Sequence, residues 1–396
     1  MLHEISKSVN SFIQWLENYG ETSYDYQTLY SGPVGGKAKA LYYRNSYIGK
    51  FVVLPMVFCE AAIPSARRFL GPKLRFPIAD AHYAMGFAFL AENDDSNKYY
   101  EKAVRFLEAL EKTRSPGYKH YCWGYPFDWV TRNGTVPAGT PLITSTPYAY
   151  EAFQQVYELD RNEHWKHVMH SIAEHAFNDI DDFKIDPVTS SCGYMPGDRQ
   201  GGVVNASAYR AFLLTSASLD FSEPRYWEKA ERNLNFVLKS QMSDGSWCYA
   251  ADEVRDFVDH FHTCFVLKAL AKIEKITGNQ KCRKSIEKGV QYYTRELFDD
   301  KSLPKPFSQA PRITVYRKEL YDYAECINLG TLLRGQFEKL DEVVECAIHD
   351  VITRWQKPDG SFRSRKLYLG WDNVPMHRWA QSQLFNSLSF FLHEKC

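Results

Sequence analysis

Apolar residues along this chain recur at helical rather than strand spacing, and the segments they define alternate between two characters. One set is charged on one face and apolar on the other, at approximately 2–19, 98–113 (KYYEKAVRFLEALEKT), 162–177, 225–241 (RYWEKAERNLNFVLKSQ), 279–298 and 338–356. That is the pattern of helices with one side in solvent. The second set is rich in Ala, aromatic and small residues and starts near Asp80, Thr146, Asn205, Asp259, Asp322 and Met376; helices apolar on most of their circumference are internal. The starts recur every 54 to 66 residues, a loose period that suits helical hairpins with variable loops better than separate domains. The pattern predicts an all-α fold, an (α/α)6 toroid of six helical hairpins forming one domain over 1–396. Residues from about 21 to 79 do not fit it and read as an irregular insertion.

Local chemistry supports these boundaries. Thr146-Pro147 and Pro224 suit helix starts, Asn205 and Asp259 are suited to cap exposed N–H groups, and Gly278 suits a helix stop. An internal echo also appears, because one charged helix ends in Gln241-Met-Ser-Asp-Gly-Ser-Trp247 and another in Gln356-Lys-Pro-Asp-Gly-Ser-Phe362. Asp-Gly makes the turn in both. The GPVGGKAK stretch fails as a phosphate-binding loop, with Ser31 where glycine is needed and Ala38 where Ser or Thr is needed. No cofactor is expected.

Charge narrows the function. Forty-eight basic residues balance 48 acidic ones, so the chain lacks the basic excess of a nucleic-acid binder. Nine cysteines form no C-x-x-C pair and read as reduced thiols of a cytoplasmic protein. The first twenty residues carry acidic side chains and no apolar signal core, so export through a cleaved peptide is not expected. The most apolar run, Phe51 to Cys59, contains Pro55 and falls far short of the roughly 20 residues that span a bilayer. It permits peripheral membrane contact only. The 15% aromatic content has two readings, a well-packed helical core or a cleft that binds sugar or hydrocarbon.

In a ring of hairpins the loops before the inner helices converge on one mouth. Those loops pair aromatic plates with carboxylates or amides: Trp123, Tyr125 and Asp128; Tyr194 and Asp198; Asp244, Trp247 and Tyr249; Trp371 and Asn373. The pairing suits stacking on a sugar face while bonding its hydroxyls; equally, Trp123, Trp247 and Trp371 are suited to plug the layer between hairpins. The densest ionisable cluster is Asp256, Asp259, His260 and His262 at the fourth inner helix. An imidazole has an ordinary pKa of about 6.5 and exchanges protons near neutrality. His260 and His262 are thus candidates for proton transfer, with Asp259 orienting them, and His82, His377 and Arg378 begin other inner helices at the same mouth. Each histidine is also a plain cap or core residue on the simpler reading.

Two sugar chemistries are open. Tyr194, Tyr249, Tyr323 or a histidine can abstract a proton beside a uronic carboxylate, with Asn205, Asn373 or Arg378 neutralising the enolate. Alternatively, Asp128, Asp198, Asp256 and Asp259 can supply the acid and base of a glycoside hydrolase. No metal is expected: H-E-x-x-H is absent, and His164, His167 and His170 lie on a charged outer helix.

Gln241 to Trp247 resembles the repeat that braces terpenoid cyclases, and Asp179-Ile-Asp-Asp182 matches the D-x-D-D of their acid-initiated class, although it closes an outer helix and lacks the usual following Thr-Ala. A nearly full-length resemblance rests on Tyr24-Asp25-Tyr26, Cys122-Trp-Gly-Tyr-Pro-Phe-Asp-Trp129, Tyr194-x-Pro196 through Asn205-Ala206, Asp244-Gly-Ser-Trp247, Asp259-His-Phe-His-Thr263 and Tyr292-Tyr293. By these the chain resembles α/α-toroid proteins of bacterial exopolysaccharide and lipopolysaccharide gene clusters, the polysaccharide biosynthesis proteins of the VpsJ type. It departs from them at Pro311-Arg-Ile-Thr-Val-Tyr316, where a Pro-Ile-Asp-Ile-His-like segment is expected. The resemblance implies a role in making surface or secreted glycan and transfers no catalytic residue. The expectation is a carbohydrate-active enzyme, an epimerase, lyase or hydrolase, acting on an oligosaccharide or a lipid-linked or nucleotide-linked sugar. The alternatives are a non-catalytic glycan-binding or scaffold protein and a terpenoid cyclase-like protein.

Overall fold

Residues 1–92, 96–311 and 314–395 are described by a computed structural model. Helix α1 (Leu2–Tyr19) is followed by α2 (Thr28–Ser31), α3 (Pro33–Arg44), α4 (Ser46–Ala62) and α5 (Arg67–Leu70). Hairpins then succeed one another: α6 (Pro77–Ala91) with α7 (Lys98–Lys112), α8 (Thr146–Asp160) with α9 (Glu163–Asn178), and α10 (Val204–Asp220) with α11 (Pro224–Lys239). Next come α12 (His260–Thr277) with α13 (Gln280–Glu296) and α14 (Leu320–Leu332) with α15 (Glu338–Asp350), and finally α16 (Ser382–His393), which packs on α1. The helices α6, α8, α10, α12, α14 and α16 each touch the next, and α16 touches α6, so the inner ring is closed.

Burial follows the two characters read in the sequence. Outer helix α7 buries Ala103, Phe106, Leu107 and Leu110, one stripe at i, i+3, i+4, i+7. Inner helix α10 is buried without a break from Val204 to Ala217. A fully buried leucine such as Leu110 or Leu213 contributes roughly 1.5–3 kcal/mol relative to exposure, which makes the layer between inner and outer helices the main apolar core.

The sequence echo is a structural one. In the first copy Asp244 Oδ1 accepts from the Ser246 N–H and Oγ, and Gln241 Nε2 donates to Gly245 O and to Ser285 O on α13. In the second, Asp359 Oδ1 accepts from the same groups of Ser361, and Gln356 Nε2 donates to Gly360 O and to Ser8 O on α1. Each turn therefore clasps the neighbouring outer helix, and the second closes the ring on α1. Gly245 (φ 97°) and Gly360 (φ 92°) take the left-handed backbone these turns need.

Three expectations need correction. The insertion is largely helical; α4 is missed because it is apolar around most of its surface and contains Pro55, so it shows no stripe and carries a residue that reads as a breaker. Asn205 does not cap α10, which starts at Val204 as the chain leaves a bridge between Val203 and Ala250. The last inner helix begins at Ser382 rather than Met376, because Trp379 and Ala380 are non-helical. Asp259 does cap α12, accepting from His262 N at 2.9 Å.

Short antiparallel strands decorate the loops: β1 (Trp129–Thr131) with β2 (Gly134–Val136), β3 (Asp182–Asp186) with β4 (Thr189–Cys192), β5 (Val258–Asp259) with β6 (Phe307–Gln309), and β7 (Tyr316–Glu319) with β8 (Arg365–Leu367) and β9 (Trp371–Asp372). A buried ionic cluster ties α4 and α5 to these strands. Arg67 pairs with Glu60 (2.7 Å) and Asp372 (2.6 Å), and Arg365 pairs with Glu319 (2.5 Å) and Glu60 (3.3 Å). Of the segment 311–316, Arg312 and Ile313 lie outside the described residues. The cysteines within them are unpaired; Cys396 lies outside. No single described helix is long and apolar enough to cross a membrane.

Candidate functional site

All inner helices run in parallel, so one end of the ring gathers their N-termini and the loops before them. A cavity of about 140 Å³ opens there, lined by side chains from five inner helix starts and their loops, among them Tyr125, Tyr194, Asn205, His262, Tyr321, Arg378 and Trp379. A larger cavity of about 420 Å³ lies among the C-terminal halves of the inner helices. Several of its charged groups pair with one another: Lys268 pairs with Glu325 at 2.6 Å, Lys272 pairs with Glu151, and Asp220 accepts from Tyr150 and Gln154. The smaller cavity is the one bordered by a carboxylate–imidazole pair.

That chemistry starts with the cap of α12. Asp259 is buried, and its second oxygen accepts from His262 Nδ1 at 2.6 Å. This bond fixes the neutral tautomer with the proton on Nδ1 and leaves Nε2 as the basic atom, on a half-buried ring that lines the cavity. Tyr249, whose ring stacks on Phe257, meets His262 edge-on at 4.7 Å. Opposite them, Arg378 is buried in a bidentate pair with Asp25 (2.9 and 2.7 Å) and lies over the Tyr125 ring at 5.0 Å. Asp25 raises the affinity of that guanidinium for its proton against the cost of burial. It stays cationic.

The remaining walls are aromatic. Tyr321 and Trp379 stack at 4.4 Å, Phe261 meets both edge-on, and Tyr194 accepts a hydrogen bond from Thr144. Tyr148 and Tyr209 share a 2.6 Å hydrogen bond at the cavity floor. Burial pushes the phenols of Tyr194, Tyr321, Tyr148 and Tyr209 well above their ordinary value, so they act as neutral donors. Two cavity-lining atoms, Asn205 Oδ1 and Trp379 Nε1, are buried with no partner among the described residues. An unmatched acceptor and donor facing one small space fit a hydroxylated ligand.

Of the residues singled out from the sequence, the cavity brings together His262, Tyr194, Tyr125, Asn205 and Arg378, with Asp259 and Tyr249 behind His262. It does not include the others. His260 is fully buried between α12 and α13, Nδ1–H donating to Lys305 O (3.1 Å) and Nε2 accepting from Tyr293 (2.7 Å), and desolvation lowers its pKa to about 3. His377 is held likewise, Nε2–H donating to Gly20 O and Nδ1 accepting from Tyr83, with its pKa lowered by burial to about 4. His82 donates through Nδ1–H to Ile78 O and lies against Tyr148, facing the larger cavity; burial lowers its pKa to about 3. These three are neutral structural residues.

Trp123 and Trp247 plug the hairpin layer, each indole N–H donating to a backbone carbonyl of an outer helix, Leu110 O and Val237 O. Trp371 packs on Trp355, and Asn373 accepts from Arg363 on the exposed surface. Asp256 is exposed, and Asp128 is an exposed turn residue that accepts from Ala138 N. Asp198 braces its own loop by accepting from Tyr194 N, and Tyr323 donates to Asp350 in the core. Asp179, Asp181 and Asp182 line neither cavity: Asp179 accepts from His175, Asp181 is exposed and Asp182 pairs with Arg210 and Lys229. Of the three outer-helix histidines, His170 approaches Glu174 and Glu223, where Arg225 already neutralises the two carboxylates.

Sequence reasoning missed Trp379, Tyr321, Phe261 and Tyr148, and gave Asp25 no role. Phe261 and Tyr321 stand immediately before His262 and Asp322 at inner helix starts, so position on the ring marks them; Trp379 owes its place to the break before α16, which no pattern announces.

This architecture defines the chain as an (α/α)6 toroid. No family model matches the sequence, and no curated protein matches it. Solved structures do. An unsaturated glucuronyl hydrolase from Bacillus sp. GL1 superposes with a TM-score of 0.62 at 10% identity, covering 98% of this chain and 96% of its own. A cellobiose 2-epimerase from Bacillus thermoamylovorans gives 0.63 at 10% identity over 81% and 88%, and a polysaccharide lyase gives 0.56 at 13% over 80% and 89%. Likeness at such identities shows the fold.

Proposed function

We propose that the protein is a carbohydrate-active enzyme whose site is the small aromatic cavity at the N-terminal ends of the inner helices. The observation that carries the reading is the Asp259–His262 pair, a buried carboxylate fixing an imidazole whose free nitrogen borders a cavity faced by Arg378. His262 Nε2 takes a proton from a sugar carbon or hydroxyl and returns it. Arg378, kept cationic by Asp25, offsets negative charge on a substrate carboxylate or a developing enolate. Tyr321 and Trp379 offer faces for sugar stacking, and Asn205 with the Trp379 indole N–H bonds hydroxyls. The toroids of similar structure include an epimerase, a lyase and a glucuronyl hydrolase, which is the range of chemistry proposed here. Together with the sequence resemblance, this supports a role in surface polysaccharide biosynthesis, on an oligosaccharide or a lipid-linked or nucleotide-linked sugar; a cytoplasmic location is part of the proposal and rests on the cysteine pattern.

The test is proton exchange. Purified protein incubated in D2O with a panel of uronic and neutral oligosaccharides is expected to incorporate deuterium at a sugar carbon, to invert it or to cleave the chain, as read by NMR and mass spectrometry. His262→Asn is expected to abolish the change while leaving binding in place. Quenching of tryptophan fluorescence by a glycan that emerges chemically unchanged and undeuterated would replace this reading with that of a sugar-binding scaffold protein.

A further inference from the structure

The α3–α5 segment carries an apolar face that packs against nothing in the described structure. On α4, Tyr47, Phe51, Leu54 and Phe58 recur at i, i+4, i+7, i+11 and are all exposed, Phe51 to 78% and Tyr47 to 82%. The opposite face, with Val53, Met56 and Glu60, is the covered one. Phe69, 90% exposed, and Leu70 extend the patch across a bend of 109° between α4 and the following segment. Apolar residues this contiguous are uncommon on the surface of a monomeric soluble protein.

Charge decides what covers the face. From residue 33 to 74 the sole carboxylate is Glu60, and it is buried against Arg67. Lys37, Arg44, Lys50 and Arg68 are exposed in the same segment, as is Lys73, which lies over the Tyr19 ring at 3.9 Å. A face that is apolar and aromatic at its centre and cationic at its rim complements an anionic lipid surface. It does not complement itself, because the segment has no exposed carboxylate to match its own cations, and a second copy would add like charge. The bend and the length of α4 fit a segment lying in the interface rather than crossing it.

We propose that α3–α5 docks the protein onto an anionic bilayer, the Tyr47, Phe51, Leu54 and Phe58 stripe and Phe69 entering the headgroup–acyl boundary. The ionic cluster of Glu60 and Arg67 with Asp372 and Arg365 fixes this face to the loops around the cavity, so docking holds the cavity end of the ring beside the membrane. The proposal does not depend on the sugar chemistry.

The experiment is vesicle flotation of the full chain, without sugar, against phosphatidylcholine alone and phosphatidylcholine mixed with phosphatidylglycerol. Expected is flotation with the anionic vesicles, weakened by salt. The double variant F51D/F58D, on exposed positions and checked by circular dichroism and thermal midpoint, is expected to abolish it, and K50E/R68E to lower partitioning by about tenfold or more. Absence of flotation with anionic vesicles would overturn the proposal. So would a concentration-dependent dimer in light scattering that F51D/F58D dissolves, which would make a second copy the occupant.

Discussion

Mild acid should weaken this fold through three histidines that it holds neutral, against the opposing pull of Asp80, whose carboxyl burial pushes up to about 7. His82, His260 and His377 are each almost fully buried and each donates one ring N–H to a carbonyl, and desolvation lowers their pKa to about 3, 3 and 4. Nearby cations act in the same direction: Lys268 and Lys272 on His82, Lys318 on His260, and Lys73 and Arg75 on His377. Unfolded, each returns to about 6.5 and binds a proton that the folded state refuses. The stability they confer is therefore complete above pH 6.5 and is lost as pH falls toward 4. Between about pH 7.5 and 5.5 each histidine accounts for about 1.4 kcal/mol and the three for about 4 kcal/mol, a large part of a domain stability of roughly 5–15 kcal/mol. Urea unfolding followed by circular dichroism at half-unit pH steps measures it. Below pH 6 the histidines add about three protons per molecule to the slope and Asp80 takes back about one, so the difference is what is read: His260→Gln should lower the slope by about one proton. A His260→Gln protein whose unfolding free energy changes as steeply as the wild type's from about pH 7.5 to 5.5 would refute the account.

The other expectations are more local. Gly360→Ala forces a side chain onto left-handed backbone and its Cβ into the Ser11 carbonyl; calorimetry should show a loss of at least ~1–3 kcal/mol, and Gly245→Ala, facing Lys288 O, a similar one. Asp25→Ala strands the Arg378 guanidinium in the interior and should cost about 3–5 kcal/mol, with Asp25→Ala/Arg378→Met recovering part of it in the same unfolding assay. Trp379→Phe keeps the stack on Tyr321 but deletes the unpartnered N–H; titration calorimetry with a glycan identified by the exchange screen should show weaker binding by roughly 0.5–1.5 kcal/mol at unchanged thermal stability.

Much of the ring was legible because its signal is periodic. A helix such as α11 must keep Tyr226, Ala230, Leu234 and Val237 on one side and charge on the other, and that constraint is written at fixed spacing. The site was legible only where it coincides with a helix start: Asp259 caps α12, and the cap places His262. His260 misled for the same reason, since residues two apart point to different sides of a helix, and only one of the pair faces the cavity. Trp123 and Trp247 resemble sugar platforms in sequence because any large aromatic beside a polar loop does; what separates a plug from a platform is the carbonyl that each indole reaches. The insertion was misjudged because a helix exposed on its apolar face violates the rule by which helices are recognised.

The pairing of α1 with α16, and the clasp of Gln356 on the backbone of Ser8, set the order in which the molecule can be assembled during synthesis. Leu16 and Phe12 remain without their final neighbours until the last hairpin has left the ribosome, so the most sequence-distant contacts come last and the polypeptide stays open for most of its translation. Truncation before α16 should consequently yield an aggregation-prone arc in place of a smaller closed ring.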